Sequence, residues 1–312
     1  MKVVSEAVDA SDPSIEASWM YASLVQGILS SVTIRTGGAG SVYGLMAGTF
    51  VVIVNSDIGV DEFTADSTTP PDATALSAGG VLLLLNSVVR GGTSVVPDAV
   101  SVGIAYDEPL SYALIAGSVV AAGTVTGPSS RSVAVHTAGL KVFPTFVTVI
   151  DSVIDGGTAA QTSAFSLSVP WLLRVIHSDV WANNLDCYYE MEFDVGVPVC
   201  LSDPAQLNNP SVPLIQADGN ISSDPLFNGD DFHLADNSPC IDAGVDPHTA
   251  SGYLDYWYSE FGVDISNLIS RDRDGDPRPY GAGWDIGPDE WTPNEKNNRQ
   301  RTHSGNILGG SA

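Results

Sequence analysis

A run of apolar residues that ends in a small polar residue and a serine returns five times along this chain. That recurrence constrains the fold more than any other feature. The copies are FVVIVNSDIG (50–59), VLLLLNSVVRGG (81–92), YALIAGSVVAAG (112–123), FVTVIDSVIDGG (146–157) and WLLRVIHSDVWANN (171–184). Their shared serines, Ser56, Ser87, Ser118, Ser152 and Ser178, stand 31, 31, 34 and 26 residues apart. A weaker copy, VQGILSSVTIRTGG at 25–38, precedes them.

Within a copy, Ile53 and Asn55 share a face in period two, as do Leu82, Leu84 and Asn86. The parity then shifts, because Ile58 and Val89 lie three places past the Asn. A straight strand cannot bury both sets, so the spacing predicts a bend at Asn-Ser. Asn and Asp tolerate left-handed backbone at such a corner. Asn55, Asn86, Asp151 and His177 are therefore expected to stack as one ladder, with Gly117 as a gap. Further weak strands lie between the copies: SVYGLMAG, ATALSAGG, SVAVHTAG and AFSLSV. A unit of about 26–34 residues with two or three short strands is the size of one coil of a parallel β-helix. A sandwich of short antiparallel strands is the alternative, and it leaves the recurring strand–corner unit unexplained. The expected class is all-β, a parallel solenoid.

Charge narrows the partners. Charged residues make up only 16% of the chain, and the net charge is −25. A polyanion would be repelled, which argues against nucleic acid. The most apolar run, VLLLL at 81–85, is too short to cross a bilayer, so membrane insertion is not expected. Met1 and Lys2 lead into an acidic stretch without the apolar core of a signal peptide. Cys187 and Cys200 could close a loop; without CxxC spacing or a nearby His cluster, they do not read as a zinc site.

The C-terminal portion reads ISSDPLFNGDDFHLADNSPCIDAGVDP (221–247) and then DRDGDPRPYGAGWDIGPDEW (272–291). In order and approximate spacing this resembles the ending of bacterial right-handed parallel β-helix repeat proteins, the pectin-lyase-like group often found with choice-of-anchor domains. The resemblance rests on DPLF, then D-F-x-L, SP-x-IDAG, D-x-DG-x-x-R and D-x-G-x-x-E. Pro288 stands where that group more often has Ala. The resemblance implies a right-handed β-helix, whose open end needs a cover. Leu226 and Phe227 are expected to plug that end, with Cys240 and Ile241 tucked inward. Arg278 would pair with Asp285 or Glu290 to pin the cap.

Three further sites are read from residue types. Asp272, Asp274 and Asp276 around Gly275 are similar to the start of a calcium loop, although Pro277 and Gly283 stand where such a loop needs Gly and Glu. No other cofactor is expected. Trp181, Tyr188 and Tyr189 beside Asp186 and Glu190 form a candidate glycan patch, since aromatic faces stack on sugars. The run YLDYWYSEF (253–261) is a second. No catalytic set is expected: the repeats lack the clustered carboxylates and neighbouring base that a polysaccharide lyase or glycoside hydrolase needs.

The expected organisation is an N-terminal cap over 1–31 with a short helix or turn covering the first coil through Trp19. Coils follow over 32–220, the last coil and C-terminal cap over 221–291, and a tail over 292–312. The tail carries Lys296, Arg299 and Arg301 against Glu295 and is expected to be flexible or to dock on a neighbouring subunit in a homo-oligomer. The function expected is a non-catalytic structural or display element outside the cell, on a cell surface or virion, of the spike, decoration or adhesin type. Its partners would be other protein subunits or surface glycans. The alternative is a secreted lyase or hydrolase of the pectin-lyase-like type.

Overall fold

The computed structural model of the chain describes residues 19–65, 71–106, 112–137, 145–168, 171–182, 184–192, 199–229, 231–249 and 262–293. The recurring segments are strands, and each copy pairs in parallel with the next. A first ladder runs from the second half of Ser41–Val54 through Val81–Leu85, Tyr112–Ala116, Thr145–Ile150 and Trp171–Ile176 to Ile215–Asp218. Past the corner, a second ladder takes Thr33–Ala39, Asp57–Thr64, Val88–Arg90, Val119–Ala121, Val153–Asp155 and Asp179–Trp181. The segments between copies form a third: the first half of Ser41–Val54, then Asp72–Ala78, Val100–Tyr106, Arg131–Thr137, Gln161–Ser168 and Cys187–Glu192. Ser41–Val54 belongs to both the first and the third ladder and joins them in one 13-stranded sheet; the second lies in an 8-stranded sheet. The protein is thus nearly all β and built on parallel pairing. No helix among the described residues is long and apolar enough to cross a membrane.

Like residues align within the stack. Ile53, Leu84, Ile115, Val149 and Val175 form one row, and Ile58, Val89, Val120, Ile154 and Val180 another. Leu76, Ile104, Val135, Phe165 and Tyr189 form a third. All belong to a single interior cluster. The repeated serines are buried beside it in a hydrogen-bonded column. The amide of Ser56 donates to Ser87 Oγ (3.1 Å), and Ser87, Ser118 and Ser152 donate likewise to the next serine (3.1, 3.1 and 3.3 Å). Each hydroxyl in turn donates to the carbonyl two residues before it, as Ser87 does to Leu85 at 2.7 Å. In the last turn Asn220 Oδ1 replaces the serine oxygen, accepting from the Ser178 amide at 2.9 Å. Serine recurs because a corner buried in apolar surroundings must still satisfy its backbone N–H.

Both ends differ from the expectation. Residues Trp19–Ser30 are a strand paired in parallel along Ser41–Val54, not a short helix. The free edge of Ser41–Val54 offers that segment parallel backbone partners along most of its length, with register shifts between Met20 and Ala22 and between Leu24 and Gln26, which outweighs its mixed helical spacing. Residues 1–18, the side chain of Trp19 and residues 294–312 of the tail lie outside the described residues.

At the other end, Leu226 and Phe227 do not plug the interior. That role falls to residues 199–215, whose Leu201, Leu207 and Ile215 join the interior cluster. Tyr189 Oη donates to the Leu207 carbonyl at 3.0 Å, and a Cys187–Cys200 disulfide holds the adjoining hairpin. Asp203 and Gln206 close a capping box on the short 3-10 turn Pro204–Gln206.

The C-terminal segment instead lies along the outside of the stack. Ile265, Ile269 and Trp284 cover the outward side chains of the first ladder, among them Val52, Leu83, Leu85 and Leu114. Leu234, Cys240 and Ile286 cover Val88, Val119 and Val153 of the second ladder, with Phe227, Phe232 and Ile241 packed alongside. Cys240 and Ile241 thus pack against an outer surface of the stack, not into an open end. The expected end cap is a lateral clasp.

Candidate functional site

The clasp is seated on the corner column. Ser31, Asn55, Asn86, Gly117, Asp151, His177 and Gly219 take successive places there, with φ from +43° to +66°. The left-handed corner follows the expectation, and its side chains have partners beyond the column. Asn86, Asp151 and His177 reach sideways to the clasp, while Asn86 Oδ1 and the His177 ring also lie against the next places in the column, Gly117 and Gly219. Asn86 Nδ2 donates to the carbonyls of Leu268 (3.1 Å) and Arg271 (2.6 Å). Asp151 Oδ1 accepts from the Val245 amide at 2.8 Å, and its carbonyl accepts from Gly287 at 2.8 Å. His177 Nδ1 lies 3.4 Å from the Ala243 carbonyl. Gly117 leaves space: a Cβ there would come 2.7 Å from Asn86 Oδ1 and 3.6 Å from Nη2 of Arg278.

Arg278 and the acids around it hold the clasp to itself. Its guanidinium donates to the carbonyls of Asp285 (3.1 Å) and Gly287 (2.7 Å) and stands 3.7 Å from Glu290. Asp285 accepts from the amides of Asp242 and Trp291, both at 2.6 Å. Glu290 accepts from those of Tyr280 (2.5 Å) and Asp285 (3.2 Å). Both carboxylates are fully buried. Burial is the leading cause that lifts Asp285 to about 6 and Glu290 to about 7. Asp151 is pushed well above the usual carboxylate range for the same reason. Burial also raises Asp155 to about 6 and Asp179 to about 7. Perturbed acids of this kind mark candidate general acids and bases. Asp151, Asp179, Asp285 and Glu290 are closed to any substrate and bonded to backbone N–H groups. Cys240 is equally closed: burial pushes its thiol far up, against the trend a reactive cysteine needs.

Asp272, Asp274 and Asp276 do not converge as a calcium set. Asp272 is buried, and its Oδ1 accepts from the amides of Asp274, Gly275 and Asp276 at 2.8–2.9 Å. Its Oδ2 accepts from the Glu290 amide at 2.9 Å. The carboxylate shapes a turn and has little capacity left for a cation. Among the described residues, the metal-ligating atoms gathered within 4.8 Å of one another are those of His233, Asp274 and Asp289.

The expected aromatic patch is not a surface. Tyr189 is fully buried against Phe165, with ring centroids 5.6 Å apart, and Tyr188 is 8% exposed. They alternate across a strand whose two faces are both covered, so neither offers a ring to a sugar. Glu190 pairs with Arg131 (2.6 Å) and accepts from Ser163 Oγ (2.7 Å). Asp186 is exposed but accepts from the Thr162 amide at 2.8 Å, and Trp181 is half-buried. The run 253–261 lies outside the described residues.

Two features escaped the sequence reading. A groove of about 530 Å³ opens where the last strands meet the clasp, lined by Arg174, His177, Asn209, Gln216, Asp218 and Val245 among others. It is polar, mixed in charge and rich in amides, the donor and acceptor set that suits hydroxyls. Only the register that pairs Arg174 with Gln216 and Ile176 with Asp218 brings these residues together. The second is a cationic knot on the second ladder: Arg35 and Arg90 each lie 2.8 Å from Asp57 Oδ2, and Arg273 lies 3.9 Å from it. Gly59 permits it, since a Cβ there would meet the Arg35 guanidinium.

Comparison with known protein families, with curated proteins and with solved structures finds no match.

Proposed function

We propose that this chain is a right-handed parallel β-helix acting as a rigid, non-catalytic display element on a cell surface or virion, contacting glycans or neighbouring subunits. One observation carries the reading: Asp151, Asp179, Asp285 and Glu290, whose proton affinities are raised by burial, are buried and bonded to backbone amides. Acids in such a role stiffen a scaffold and do not turn over a substrate. The groove at Arg174, Gln216 and Asp218 replaces the buried tyrosines as the place for a glycan. A Cys187–Cys200 disulfide supports an oxidising, extracellular setting.

The test is a panel of neutral and acidic polysaccharides, with and without calcium, scored for reducing-end release and unsaturated uronate. Background rates are expected throughout, together with glycan-array binding that falls at least about tenfold in Gln216→Ala/Asp218→Ala, a loss of roughly 1.4 kcal/mol. Turnover that disappears when one exposed carboxylate is changed would establish the lyase or hydrolase alternative instead.

A further inference from the structure

We propose that His233, Asp274 and Asp289 bind a divalent first-row transition-metal ion, with zinc the best match, and that the ion locks the 231–236 turn to the 271–290 stretch of the clasp. This inference is independent of the display reading. His233 Nδ1 lies 2.9 Å from Asp289 Oδ1 and 3.4 Å from Asp274 Oδ2. Bonds of about 2.0–2.2 Å in a tetrahedral sphere place neighbouring ligand atoms roughly 3.3–3.6 Å apart; the Asp274 spacing already fits, the Asp289 contact would open from a hydrogen-bond distance, and all three ligand atoms lie within 4.8 Å of one another.

The shell behind these atoms points the same way. Asp289 is 3% exposed, and its other oxygen accepts from the Leu234 amide at 2.8 Å, which fixes the carboxylate. On the far side of the ring, Nε2 faces Asp231 Oδ2 at 3.3 Å. On metal binding, Nδ1 would exchange its hydrogen bond with Asp289 for the ion, and the proton on Nε2 would face Asp231, as outer carboxylates do behind metal-bound histidines.

Two arginines beside this turn face Asp57: Arg273, adjacent to Asp274 in sequence, and Arg90, whose guanidinium stacks over the Phe232 ring at 5.1 Å. The turn built on Asp272 is what presents Asp274, since the amides of residues 274–276 wrap its carboxylate. An imidazole with two carboxylates selects zinc or its neighbours over calcium, which prefers an all-oxygen shell. The remaining positions on the ion lie on the side of Asp274, which is 48% exposed, and would be completed by water or a donor from a partner.

Untagged full-length protein, stripped with chelator, would be titrated with zinc, manganese and calcium by calorimetry, with elemental analysis after dialysis. One zinc per chain is expected, with a melting temperature raised by roughly 5 °C at a hundredfold excess over Kd and no comparable response to calcium. His233→Asn and Asp274→Asn should each weaken zinc binding at least about a hundredfold. Asp231→Asn, which alters only the support of the ring, should weaken it by about 10–100-fold. Asp274 is exposed enough that its variant folds even if the others do not. No zinc bound by the parent protein, calcium bound as well as zinc, or unchanged zinc affinity in Asp274→Asn would each overturn the assignment.

Discussion

Mild acid should stabilise this protein, and Asp179 shows why. Its carboxylate is fully buried between the second ladder and the clasp, with Oδ1 accepting from the Ser223 amide (3.0 Å) and Oδ2 3.5 Å from Cys240 Sγ. Burial, reinforced by Asp155 and Asp224, lifts it from 3.8 to about 7. In the unfolded chain the group stays ionised down to about pH 4, whereas the folded chain takes up a proton as pH falls through 7. The folded state binds more protons across that window, so stability falls as pH rises from about 4 to 7. Between pH 8 and pH 6 a folded value near 7 corresponds to about 1.4 kcal/mol in favour of the lower pH.

The assay is denaturant unfolding at both pH values on the parent and on Asp179→Asn, which keeps the shape and the acceptor for Ser223 but does not titrate. The parent should be more stable at pH 6, with Glu290 adding in the same direction because it too is raised to about 7. The gain in Asp179→Asn should be smaller by about 1.4 kcal/mol, or roughly 3 °C in Tm. Using the difference between the two proteins removes the general relief of charge repulsion that acid brings to any chain of net charge −25. Equal pH 6–8 differences in parent and variant, or a parent more stable at pH 8, would refute the reasoning.

Other outcomes follow from the same contacts. Asn86→Leu loses two bonds to the clasp and should cost about 1–3 kcal/mol in urea unfolding; unchanged unfolding would contradict the register. Gly123→Ala should cost more than about 2 kcal/mol, because its φ is +96° and a Cβ would collide with the Gly92 carbonyl. Cys187→Ser/Cys200→Ser should lose about 2–4 kcal/mol by calorimetry, since the bridge ties residues 13 apart at the closed end of the stack.

Much of the stack was legible because it is written as repetition. Period two, the shifted parity after Asn-Ser and the near-regular interval gave the strands, the left-handed corner and the alignment of copies. What the corner side chains do was not legible. Asn86 and Asp151 bond to residues 94 to 185 positions away, and nothing local in sequence signals such partners. The serines were visible as a shared position, but their buried chain of hydrogen bonds depends on the register between copies. The tyrosines misled for a related reason. Beside two acids they resemble a sugar platform, yet the strand that carries them is covered on both faces.

The run VLLLL holds the key to the whole arrangement. A strand buried on one side alternates apolar and polar, whereas here Leu82 and Leu84 face the interior while Leu83 and Leu85 face the opposite way, all at most 1% exposed. An outward stripe of leucine and valine along several turns would be an exposed apolar patch on any solvated stack. The stripe therefore specifies its own cover, and Ile265, Ile269 and Trp284 supply it. Because the cover must follow the stripe, it runs beside the stack and crosses the corner, where left-handed Asn86 and Asp151 present side chains sideways to receive it. The same geometry explains why the acids of the clasp are buried: a loop-rich segment laid on an apolar face brings many unpaired amides with it. Asp151, Asp272, Asp285 and Glu290 accept them where no strand is available to do so.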